Sequence, residues 1–103
     1  MTQEESFAYC WAKNWDEMDS LGIRTARVRK QAGDHGALAT AHRVLGGRQL
    51  SDGFTELKTK GRLDLSLEAM VLVSKWGSLF TDEEANEALS RLMEAGYHFL
   101  PRR

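Results

Sequence analysis

Apolar residues recur along this chain at intervals of three and four, broken by short glycine-bearing stretches, and each unbroken stretch predicts one α-helix. The first is opened by Thr2-Gln3-Glu4-Glu5, a capping box in which the Thr2 hydroxyl meets the Glu5 amide and the Glu5 carboxylate reaches back. Phe7, Cys10, Trp11, Trp15 and Met18 then fall on one face, while Glu4, Lys13, Asp16, Glu17 and Asp19 lie mostly on the other. Leu21-Gly22-Ile23 suits a Schellman turn, so the helix is predicted over Gln3–Ser20.

The next stretch, residues 23–32, buries only Ile23, Ala26, Val28 and Ala32 among four basic residues and is read as a helix. Gly33-Asp34-His35-Gly36 is predicted to interrupt it, with Asp34 a candidate N-cap for the following segment. Ala37, Leu38, Ala41, Val44 and Leu45 form a small-residue stripe ended by Gly46-Gly47. Ser51 is the candidate N-cap of a short helix carrying Phe54 and Leu57, and Gly61 its terminator.

Residues 63–80 form the one long run that is apolar on nearly every side. Ala69, Leu72, Val73, Trp76, Leu79 and Phe80 keep the helical period, while Met70 and Val71 lie off that stripe. Four consecutive apolar residues, Met70 to Val73, suit a strand as well, and the absence of turn residues over 66–75 favours helix. Thr81-Asp82-Glu83-Glu84 is a second capping box, with its acids at the positive end of the helix dipole. Ala85, Ala88, Leu89, Leu92 and Met93 form the predicted inward stripe, and Gly96 closes it. Tyr97-His98-Phe99-Leu100 then alternates ahead of Pro101-Arg102-Arg103 and is read as an extended segment.

The pattern predicts an all-α, small single-domain bundle over residues 1–103, with about five helices around a central apolar helix at residues 66–79. A chain of 103 residues buries roughly two-thirds of its unfolded surface, enough for one core without staples. A single cysteine forms no internal disulfide, and the N-terminal residues lack the pattern of a secretory leader, so the expected setting is cytoplasmic. No run approaches the ~18 apolar residues of a membrane span, and no membrane partner is expected. Monomer and homodimer are equally compatible with the sequence.

Charge adds what the apolar pattern does not carry. Residues 1–22 hold one Lys against five acids, residues 23–62 hold nine Lys or Arg against three, and residues 63–103 hold four against seven. The basic middle either meets an anionic partner or pairs with its own acidic flanks.

Chemistry finds little purchase. His35 and His42 are two helical turns apart, ~10 Å by helix rise, too far to share one ion, and no metal or other cofactor is expected. Cys10 lies on the apolar stripe, where burial suppresses thiol reactivity. The paired carboxylates are cap residues, and no nucleophile elbow or phosphate loop occurs. The expectation is a non-enzymatic protein.

Two binding readings remain. The first is a protein–protein interaction module. Its expected partner-binding residues are Arg24, Arg27, Arg29 and Lys30, together with Tyr97, Phe99, Arg102 and Arg103, since aromatic and arginine side chains anchor interfaces. The second is a small nucleic-acid-binding transcriptional regulator using Arg27, Lys30, Arg43, Arg48, Lys58, Lys60 and Arg62. Residues 37–60 resemble a helix-turn-helix in outline, but Asp52, Gly53, Phe54 and Glu56 stand where base contacts belong, and the net charge is only −1. In size and lack of catalytic motif the chain resembles small inhibitors and regulators carried by bacterial and phage mobile elements, anti-CRISPR proteins among them. That similarity is one of type and implies occlusion of a partner protein.

Overall fold

Both capping boxes read from the sequence set helix starts in the computed structural model, which describes residues 2–97. The helices are α1 (Gln3–Ser20), α2 (Ala26–His35), α3 (Ala37–Gly46), α4 (Phe54–Lys60), α5 (Leu67–Val71) and α6 (Asp82–Glu94), with 3₁₀ turns at Leu63–Leu65 and Ser74–Leu79. No strand occurs among the described residues, and the fold is all-α.

Both capping boxes form in full, Thr2 with Glu5 and Thr81 with Glu84. The Schellman turn after α1 forms as well: the Gly22 N–H donates to the Asp19 carbonyl at 3.0 Å and the Ile23 N–H to Met18 at 2.9 Å. Ile23 therefore belongs to this closure and is buried, and α2 begins three residues later than predicted, at Ala26. Gly61 and Gly96 close α4 and α6 with the same pair of bonds.

Three local expectations are corrected. Helix α2 runs through Gly33, Asp34 and His35 to break at Gly36, and Asp34 caps nothing but accepts from Lys30 at 2.8 Å, one turn back. The N-cap of α4 is Gly53, not Ser51. Gly53 sits at φ +81°, and a Cβ there would also stand 2.6 Å from the Met18 methyl and 2.9 Å from an Ile23 methyl, so the chain crosses the end of α1 closer than any side chain permits. The predicted inward stripe of α6 holds for Ala88 and Leu92, but Leu89 and Met93 face outward, Met93 at 59% exposure.

The central run is helical in two pieces. Ser66 caps α5 by accepting from the Ala69 N–H at 3.2 Å, and all five α5 residues are buried. The chain then turns through Leu72 and Val73, whose extended backbone starts the 3₁₀ turn. In one continuous helix Val73 and Trp76 would share a face. The break puts Val73 outside, and the three-residue period that follows carries Trp76 inward to 3% exposure. Beta-branched Val71 and Val73 and the mid-turn Gly77 all lower the propensity for an uninterrupted α-helix, which lets packing decide the geometry.

Trp76 meets Phe7 edge-on at a centroid distance of 5.6 Å, and Phe7 also touches Trp11 at 5.7 Å and Phe80 at 5.3 Å. Each such pair contributes about 0.5–1.5 kcal/mol beyond area burial. Helix α1 is thus the aromatic spine, Phe7, Trp11, Trp15 and Met18 all being buried. Helices α5 and α6 pack on each other, α2 packs on α3, and α3 bridges to α1 and α6.

Candidate functional site

The basic middle third divides into a part spent inside the fold and a part left over. Arg29 turns back to α1, pairing with Asp19 at 2.7 Å and Asp16 at 3.0 Å and lying over the Trp15 ring at 5.5 Å. Thr25 links the two helices there, accepting from the Arg29 Nε at 2.8 Å and donating to Asp19 at 2.6 Å. The Thr25 hydroxyl, with Arg29 beside it, holds the Asp19 carboxyl below its ordinary range. Arg62 pairs with Asp64 at 3.2 Å and Glu17 at 3.6 Å, and Lys30 with Asp34. These residues were expected to face a partner, and their charge is answered by neighbouring acids within the fold.

Of the other expected residues, Arg24 is exposed in the turn before α2, and Lys58 and Lys60 are exposed on α4. Helix α4 packs chiefly on the Leu63–Leu65 turn, while α3 packs on α2, α1 and α6, so α3 and α4 are not the mutually packed pair of a helix-turn-helix. Tyr97 is half-buried against the core, at the edge of an apolar groove shared with Cys10, Met70 and Trp76. Cys10 is half-buried there and not enclosed as expected. Phe99, Arg102 and Arg103 lie outside the described residues.

Arg27, Arg43 and Arg48 are brought together. They line a cleft of about 280 Å³ between α2, α3 and the segment that follows α3. Gln31 and His35 contribute from α2, and Val44 and Leu50 supply apolar surface. Arg27 stands 4.0 Å from Asp52, a loose pair with most of the arginine in water. Arg43 and Arg48 make no hydrogen bond or ion pair with any described residue. The cleft therefore holds a surplus of positive charge in a concavity, which strengthens its field toward an anion.

One wall of the cleft is fixed by a buried polar network that the sequence pattern concealed. Glu68, in the apolar run, is 0% exposed, and Arg91 on α6 is 4% exposed. The Arg91 Nη1 donates to Glu68 at 3.0 Å, and its Nη2 donates to the carbonyls of Val44 at 3.2 Å and Gly47 at 3.0 Å. Its Nε meets Glu87 at 2.7 Å. Glu68 in turn accepts from the Ser51 N–H at 3.1 Å and from its hydroxyl at 2.5 Å. Ser51 is thus held by the buried acid, which explains why it caps no helix. Every buried side-chain N or O among the described residues has a partner, as a charged group in a dry interior requires. The network fastens both ends of the loop carrying Arg48 and Leu50. The signal available in the sequence was Glu68 itself, an acid flanked by Leu67 and Ala69 in the apolar run.

A second polar contact joins α3 to the start of α6. His42 Nδ1 lies 2.5 Å from Glu84, the acid that completes the second capping box. Burial works to raise the Glu84 pKa, but the Thr81 N–H and His42 outweigh it and hold the carboxyl below its usual range. No three His, Cys, Asp or Glu side chains among the described residues converge as a metal site. No described helix is long and apolar enough to cross a membrane. The chain matches no protein-family model, no curated protein and no solved structure.

Proposed function

We propose that this chain is a non-catalytic interaction module that engages a partner protein through the cleft between α2 and α3. The observation that carries the reading is the pair Arg43 and Arg48, which form no ion pair with any described residue and line a concavity whose acid, Asp52, stands nearest Arg27. Arginines so placed are the usual anchors of protein interfaces, because the planar guanidinium loses little entropy and binds carboxylates through two parallel bonds. Holding such a partner would occlude part of its surface, the action of a small inhibitor or regulator of bacterial or phage type. A cytoplasmic setting is part of the proposal and rests on the single cysteine.

A nucleic-acid regulator draws on the same arginines, but the charge around them argues against it. Arg29 and Arg62 are already paired with acids, and affinity for a polyanion grows with every phosphate neutralised. The test is capture from a lysate of the source cells by the wild-type chain and by Arg43→Glu/Arg48→Glu, with mixed-sequence DNA and RNA titrated in parallel at several salt concentrations. The expected result is a protein retained by wild type and lost by the charge-reversed variant. Capture that ignores the reversal overturns the proposal, as does tight nucleic-acid binding that weakens steeply with salt.

A further inference from the structure

The lining of the cleft says more than that it attracts anions. We infer that it takes a short acidic peptide segment of a partner protein, in which a carboxylate side chain stands beside an aliphatic one. This rests on the cleft being the partner site.

Arg43 and Arg48 provide two guanidinium groups that no described residue pairs, suited to forked contacts with carboxylate oxygens. Val44 and the exposed Leu50 stand in the same lining and leave apolar surface that only an apolar neighbour of the carboxylate would cover. The volume of about 280 Å³ lies just under the ~300–1,000 Å³ of drug-sized pockets. It therefore holds one or two side chains, with the rest of the segment lying across the mouth.

Two features set the occupant apart from a nucleic-acid strand. No Phe, Tyr or Trp lines the cleft, whereas single-stranded nucleic acids depend on aromatic platforms for stacking. Asp52 also lies within the lining, which sets a limit on how much negative charge enters and favours one well-placed carboxylate over a continuous row of phosphates. The loop bearing Arg48 and Leu50 is held in advance by Glu68 and Arg91, so the site loses little freedom on binding.

The test uses fluorescence anisotropy with three labelled probes: a repeating Glu-Glu-Leu peptide, the same peptide with glycine at each leucine, and a thymidine oligonucleotide of equal charge. The leucine peptide is expected to bind at least tenfold more tightly than either of the others. Arg43→Gln/Arg48→Gln should weaken it at least tenfold, and Leu50→Ser should reduce it to the level of the glycine peptide. All three side chains are exposed, so the variants should melt as wild type does. Equal binding of the two peptides overturns the inference, as do preference for the oligonucleotide and indifference to the arginine pair. Should those results accompany capture of a partner that still requires Arg43 and Arg48, the fault lies with the peptide chemistry alone. Capture independent of those arginines removes the cleft as the partner site.

Discussion

Replacing Arg91 by Met is the most severe test of the buried network. The substitution keeps the bulk of the side chain but leaves the Glu68 carboxylate with Ser51 as its only partner among the described residues; it also takes the guanidinium from the Gly47 carbonyl and from the Val44 carbonyl, which keeps only the Gly47 N–H at 3.3 Å. Breaking a buried pair by removing one member destabilises by about 3–5 kcal/mol, because an unanswered charge stays in the interior. A domain of this size has a stability of roughly 5–15 kcal/mol in all, and each kcal/mol moves the midpoint about 4–8 °C. Melting of Arg91→Met, followed by circular dichroism, should therefore fall by at least ~12 °C. Glu68→Leu should fall by less, since Arg91 keeps Glu87 and the two carbonyls while both Ser51 donors lose their acceptor. The double variant Glu68→Leu/Arg91→Met removes both charges and should lose at least ~2 kcal/mol less than the two singles together, the mark of direct coupling. The reasoning fails if Arg91→Met loses under ~1 kcal/mol, or if the double variant is additive within ~0.5 kcal/mol.

Three further outcomes are expected. Gly53→Ala should destabilise by about 1–3 kcal/mol in urea titration, because the left-handed backbone and the two methyl contacts both oppose a Cβ; a neutral result would mean that α4 does not enter over the end of α1. Trp76→Ala should lose about 3–5 kcal/mol, the range for emptying a buried aromatic site, and a loss below ~1 kcal/mol would show that the 3₁₀ turn does not bury it. Glu84 contributes stability that is present above the ordinary carboxylate pKa and is lost as pH falls through its lowered folded value. Glu84→Gln should accordingly flatten the acid limb of stability against pH and leave stability above about pH 5 free of that slope, and an unchanged acid limb would refute the assignment.

The termini of the helices were legible because they are written in local chemistry. A threonine three residues before a glutamate, or a glycine at the end of a helical stripe, specifies its own hydrogen bonds, and Thr2, Thr81, Gly22, Gly61 and Gly96 all behave as read. The central run was less legible. A segment apolar all round carries no direction, so its pattern foretold burial but not the turn at Val73 that delivers Trp76 to Phe7. Glu68 and Ser51 were misjudged for a related reason: their partners lie 17 to 23 residues away, beyond the reach of any periodicity. The candidate site was half visible. Arg27, Arg43 and Arg48 were singled out by charge, yet nothing local separated them from Arg29, whose acids come from α1, while Arg62 had Asp64 two residues away and gains Glu17 only through the fold.

Arg91 sits late in the chain and reaches residues 44, 47 and 68. A nascent chain that has exposed only α1 to α4 has the arginines of the cleft but lacks the side chain that moors their loop. The proposed cleft therefore gains its moored loop only when α6 packs over α5, and a chain still lacking α6 should hold the loop of Arg48 and Leu50 less firmly than the completed one.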